Sequence, residues 1–76
     1  MKELLTFLAK SLVDYPDDVT VTEVEKENAL VLELRVNESD MGKVIGKQGR
    51  IAKSIRTVIK AASSKEDKKV IVEIMQ

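Results

Sequence analysis

Two stretches of this chain alternate with a period of two, ALVLELRV at residues 29–36 and KKVIVEIM at 68–75. Most of what lies between them repeats with the period of a helix. That sequence of periods constrains the fold more than any other feature. Leu30, Leu32, Leu34 and Val36 share one face of the first stretch, with Val31, Glu33 and Arg35 on the other. Val70, Val72 and Ile74 alternate in the same way against Ile71, Glu73 and Met75, so both stretches read as half-buried strands. In the intervening stretch Ser39 or Asp40 caps a short helix, Met41 to Ile45, which Gly46 stops. Helix resumes after Gly49, where Ile51, Ile55, Val58, Ile59 and Ala62 recur at helical spacing as a core-facing stripe. A strand that reaches the next strand through two helices can make a right-handed crossover.

The first part of the chain completes the sheet. Leu4, Leu5, Leu8, Leu12 and Val13 form one stripe of a helix over residues 2–13, ended by Tyr15-Pro16. Asp17-Asp18 makes a turn. VTVTEVE, residues 19–25, is β-branched and roughly alternating, and Lys26-Glu27-Asn28 links it to the next strand as a short hairpin loop. The predicted order is helix, strand, strand, helix, helix, strand. Only one sheet face is strongly apolar, so the expected class is α+β, a three-stranded sheet with helices packed on one face.

A chain of 76 residues has room for one domain, expected over 1–76, and buries only about 60% of its unfolded surface. With no cysteine, neither disulfides nor thiolate metal sites support it, which favours a reducing compartment. The opening MKELLTFLAKSLV is too short and too broken by charge for a signal peptide, and no apolar run approaches a membrane span. A soluble cytoplasmic protein is expected.

The formal net charge is zero, but the charges are segregated. Residues 1–40 carry four basic groups against ten acidic ones, a balance of −6. Residues 41–60 carry six basic groups (Lys43, Lys47, Arg50, Lys53, Arg56, Lys60) and no acid, a balance of +6. A charge run is ordinarily a solvated face; a stretch without one carboxylate also makes a local positive field on a neutral molecule.

Catalysis has little to build on. With no histidine or cysteine, the usual base, nucleophile and soft metal ligands are missing, and no catalytic residue, metal or cofactor is expected. Asp17-Asp18 are turn residues, and Glu23, Glu25 and Glu27 read as a solvated strand face. The glycines do not make a nucleotide loop either. Gly42 and Gly46 are separated by three residues rather than the four of a P-loop, and Gln48, not Ser or Thr, follows Lys47.

VIGKQGR, residues 44–50, fits another chemistry. Glycine at 46 and 49 lets a ligand approach the backbone closely. Amides at the start of the second helix lack intrahelical partners, and the helix dipole adds positive charge. Lys47 and Arg50 sit at that opening, with Lys43 a turn before and Lys53 a turn after. A polyanionic backbone suits such a site; a plain helix corner with glycine caps is the competing reading.

The string VIGKQGRIAKSI resembles the V-I-G-x-x-G signature of the KH domain, an RNA-binding fold whose GxxG loop clamps about four nucleotides of single strand. The element order resembles the type II, prokaryotic variant, and the likeness covers essentially the whole chain. It is most similar to the small stand-alone bacterial KH proteins, whose motif D-x-G-K-V-I-G-K-Q-G-R matches Asp40 to Arg50. The resemblance implies that Gly46, Lys47, Gln48 and Gly49 form the backbone clamp. Val44 and Ile45, with Ile51 nearby, would line an apolar groove under the bases, although ordinary core is the alternative for the first two. Lys43, Arg50 and Lys53 would face phosphate; Arg56 and Lys60 lie further along, with a merely solvated face as their alternative reading. It also implies self-association or pairing with a larger KH-containing protein, and RNA-level control of bacterial growth and cell shape, as post-transcriptional regulator or RNA chaperone.

Phe7 and Tyr15 are the only aromatic residues and neither belongs to the motif, so a base-stacking platform is unavailable. Binding is expected to be weak, of low sequence specificity and sensitive to salt. A protein-interaction or dimerisation module and a single-stranded DNA binder are the alternatives.

Overall fold

The computed structural model describes residues 1–75, with the backbone alone at Lys47 and Gln48. Its elements run α1 (Lys2–Leu12), a 3-10 turn (Pro16–Asp18), β1 (Thr20–Glu25), β2 (Ala29–Arg35), α2 (Glu38–Ala62) and β3 (Lys69–Met75). The strands lie in the order β1-β2-β3. β1 pairs antiparallel to β2, with Val21 opposite Leu34 and Val24 opposite Val31. β3 pairs parallel to β2, with Leu32 opposite Val72. The crossover that the alternating stretches demand is therefore present.

The helical span between β2 and β3 is longer than the sequence suggests, because Gly46 does not end a helix. Gly46 keeps a right-handed conformation and lies inside α2, whereas Gly49 takes φ +66°. A left-handed residue cannot lie on the path of a right-handed helix, so it re-aims the axis. α2 is thus two arms meeting at Gly49, and the expected α-β-β-α-α-β order holds with its corner three residues later. The cap also moves. Asn37 precedes the helix and its side chain accepts the Ser39 amide at 2.7 Å, in place of Ser39 or Asp40.

Both helices cover one sheet face. Leu5 and Ala9 of α1 and Ile55 and Ile59 of α2 meet Val21, Leu32, Leu34 and Val72 of the sheet, with Val19 beside them. Burying each of the larger side chains contributes about 1.5–3 kcal/mol. Each helix docks along a line slightly rotated from its predicted stripe. Ala9 and Ala52 are buried, while Leu12, Val58 and Ala62 are exposed. Small residues let the backbones approach the sheet, and the larger ones fall at the margin.

The hairpin and the loop before β3 are stitched together outside this core. Lys68 Nζ lies 2.7 Å from Glu25 Oε1 and donates to the Lys26 carbonyl at 3.1 Å. The hydrogen bond and charge of Lys68 hold the Glu25 carboxyl below its ordinary value.

Candidate nucleic-acid interface

The interface is built on the first arm of α2, and a buried carboxylate sets where that arm lies. Asp40 has no exposed surface and accepts the backbone N–H groups of Asp14 and Tyr15, each at 3.0 Å. Both carboxylate oxygens are used, which repays the burial of the charge. The turn after α1 is thereby clamped to the first turn of α2. Asn37 Nδ2 adds a second tie by donating to Asp18 Oδ2 at 2.6 Å.

From that anchor the arm carries Lys43, Val44, Ile45 and Gly46 in different directions. Lys43 faces the α1 side, its Nζ 3.3 Å from Asp14 Oδ1. Val44 has no exposed surface and points into the interior, as ordinary core would. Ile45 points outward and is 44% exposed. A Cβ built at Gly46 meets nothing within 4 Å. The fold therefore imposes no requirement for glycine there, while an unfilled approach to the backbone remains. Gly49 differs, because its positive φ penalises any side chain although the space around it is open.

Beyond Gly49, the residues Lys53, Arg56 and Lys60 follow at spacings of four, three and four, one stripe of the second arm. Together with Ile45, Gly49, Ala52, Thr57 and Ile74 they line a cleft of about 680 Å³ between α2 and β3. Arg56 is fixed across it, its Nε donating to the Val72 carbonyl on the edge strand at 3.4 Å. Ile45 also lines an adjoining cleft with Gly46, Met41 and Met75. Ile45 is common to the two clefts, with Gly49, Lys53, Arg56 and Lys60 lining the first and Gly46 lining the second; together they make the groove.

The sequence-expected residues thus divide. Ile45, Gly46, Gly49 and Lys53 come together at the groove. Arg50 is exposed at the same turn but outside the lining of these clefts. Ile51 is half-buried against the core. Lys43 and Val44 turn elsewhere, and the side chains of Lys47 and Gln48 lie outside the described residues. Arg56 and Lys60, for which the sequence leaves a phosphate-facing and a solvated reading open, line the groove. Their spacing from Gly49 carried that signal; Ile74 had no local one, because only the crossover brings β3 beside α2.

The family described as "KhpA/KhpB, KH domain" matches residues 2–74. The chain belongs to this KH-domain family. It is 67% identical over 75 residues to the RNA-binding protein KhpA of Clostridium perfringens, covering 99% of this chain and all of that relative. It is 51% identical to RNA-binding protein KhpA of Listeria monocytogenes over the full length of both chains. Against RNA-binding protein KhpA of Aquifex aeolicus it is 49% identical, covering all of this chain and 96% of that one. No solved structure matches. The GKQG segment of this KH chain lies within α2 and ends at the Gly49 corner, with the cleft opening beside it. Among the described residues no group of acidic side chains is placed to hold a metal, and no helix is long and apolar enough to cross a membrane.

Proposed function

We propose that this chain, as one KH domain over residues 1–76, binds short single-stranded RNA. The strand's backbone passes the Gly46–Gly49 turn, and its bases lie over Ile45 and Ile74. The observation that carries this reading is the open Cβ position at Gly46 beside a groove walled by Lys53, Arg56 and Lys60. The close relatives named as RNA-binding proteins support it.

Phosphates lie along the cationic wall, with Lys47, Gln48 and Arg50 at the turn. Aliphatic surface and backbone groups supply the base contacts, so binding is modest in affinity and selectivity. One such site gains avidity by pairing. The KhpA/KhpB family description and the exposed Phe7 and Val58 support pairing with a second copy or with a larger KH-containing protein. We place this activity in the cytoplasm, as a post-transcriptional regulator or RNA chaperone bearing on growth and cell shape. No catalytic step belongs to this reading.

The test is a titration of short single-stranded RNAs against the wild type and the Lys47→Asp, Gln48→Asp double variant. Two acidic groups at the turn should weaken binding by about tenfold or more, equivalent to ~1.4 kcal/mol. Matched DNA oligomers in the same titration separate RNA from single-stranded DNA binding. Equal affinity of a folded double variant would remove the turn from the site.

A further inference from the structure

The groove does not end with the clamp. Arg56, Thr57 and Lys60 line the cleft beside Gly49 and also a second, larger cleft of about 1060 Å³. The second cleft continues along the edge of β3, past Ser63 and Ser64, to Lys69 and Ile71. We propose that it is an extension subsite for the same strand, carrying nucleotides beyond the four or so that a GxxG turn grips. This inference rests on the RNA-binding reading above and adds the length and path of the ligand.

Three observations define the occupant. The first is continuity, since Arg56, Thr57 and Lys60 line both clefts and Lys53 lines the first of them on the same helix stripe. The second is charge. Arg56, Lys60 and Lys69 lie along the path, while Lys68 is engaged by Glu25 and holds the loop in place. Glu66 and Asp67 occupy the loop wall, so a polyanion is confined to the side of α2 and the β3 edge. The third is the edge strand itself. An exposed edge would otherwise invite a peptide strand, but the Arg56 guanidinium already caps the Val72 carbonyl. A phosphate chain tolerates that arrangement, because the bond to Val72 uses only Nε and a guanidinium carries four further N–H donors.

The experiment compares affinities for RNA oligomers of four, six, eight and ten nucleotides. Wild type, Lys69→Glu with Ser64→Glu, and Lys10→Glu, an exposed α1 position in the lining of neither cleft, are measured in parallel. For the wild type the octamer should bind about tenfold more tightly than the tetramer. The double variant should lose that gain and keep the tetramer affinity. Lys10→Glu, which makes one comparable charge change outside the groove, should keep the gain. Glu66→Gln should strengthen octamer binding alone. Amide shifts at Ser63 to Lys69 in the wild type, present with the octamer and absent with the tetramer, give a readout independent of any variant. An affinity that does not rise with length, or a double variant that weakens tetramer and octamer equally, would overturn the extension and leave the clamp standing. No binding at any length overturns both.

Discussion

Oδ2 of Asp40 accepts the amide of Tyr15 at 3.0 Å, while Oδ1 accepts that of Asp14 at the same distance. This pair of bonds decides how the two helices meet at the groove end of the molecule. Asp40→Ala leaves two amides without an acceptor at a buried site. A bond to a charged acceptor is worth about 1.5–3 kcal/mol. The loss should be about 2–4 kcal/mol in denaturant-unfolding free energy, with Asp40→Asn, which keeps one acceptor oxygen, in between. Wild-type stability for Asp40→Ala would show that the clamp contributes nothing.

Gly46 and Gly49 should respond oppositely to alanine. At Gly46 the backbone is helical and the added methyl meets nothing, so Gly46→Ala should raise stability by about 0.5–1 kcal/mol. Because the methyl intrudes where the strand approaches, RNA affinity should fall even as the melting temperature rises. Gly49→Ala, at φ +66°, should lower stability by about 1–2 kcal/mol. Thermal unfolding and RNA titration of both variants check the divergence.

The salt dependence of RNA binding separates the lysines. Lys53 lines the groove, whereas Lys43 is paired with Asp14 on the other side of the arm. Lys53→Met should reduce the slope of log K against log salt by about 0.7, the value for one phosphate on a single strand. Lys43→Met should leave the slope unchanged. Equal changes for the two would return Lys43 to the phosphate-facing set.

Acid should act on the loop before β3. Lys68 holds the Glu25 carboxyl below its ordinary value of 4.5. A depressed carboxyl stabilises the folded state fully above that ordinary value. The contribution fades as pH falls from 4.5 through the lower folded-state value. The stability difference between wild type and Glu25→Gln should therefore be constant above pH 5 and close progressively in more acid solution. A difference that persists unchanged at pH 2 would assign it to something other than this pair.

Much of the architecture was legible because period-two and helical patterns are local properties. ALVLELRV and KKVIVEIM became β2 and β3, and the order of elements followed. What local patterns could not convey was rotation and corner. Ala9 and Ala52 carry weak hydrophobic signals, yet they are buried because the helices must sit close to the sheet. Gly46 and Gly49 are the same residue type, and only their backbone conformations decide which one turns the chain. The site divided on the same grounds. Lys53 was placed by its distance from the glycines, whereas Lys43 and Val44 depend on which way the first arm faces, set by the contact of Asp40 with a turn twenty-five residues away in sequence. Ile74 entered the groove through the crossover alone.

The central claim is that the Gly46–Gly49 turn and the groove beside it hold the strand. The most direct measurement is the map of backbone amide shifts as a short single-stranded RNA is titrated into the protein. The largest changes should fall on Ile45 through Arg50, on Lys53 and Arg56, and on Ile74, with the outer sheet face around Val24 and Val31 silent. Changes concentrated on α1 or on that outer face, with the turn unperturbed, would contradict the account.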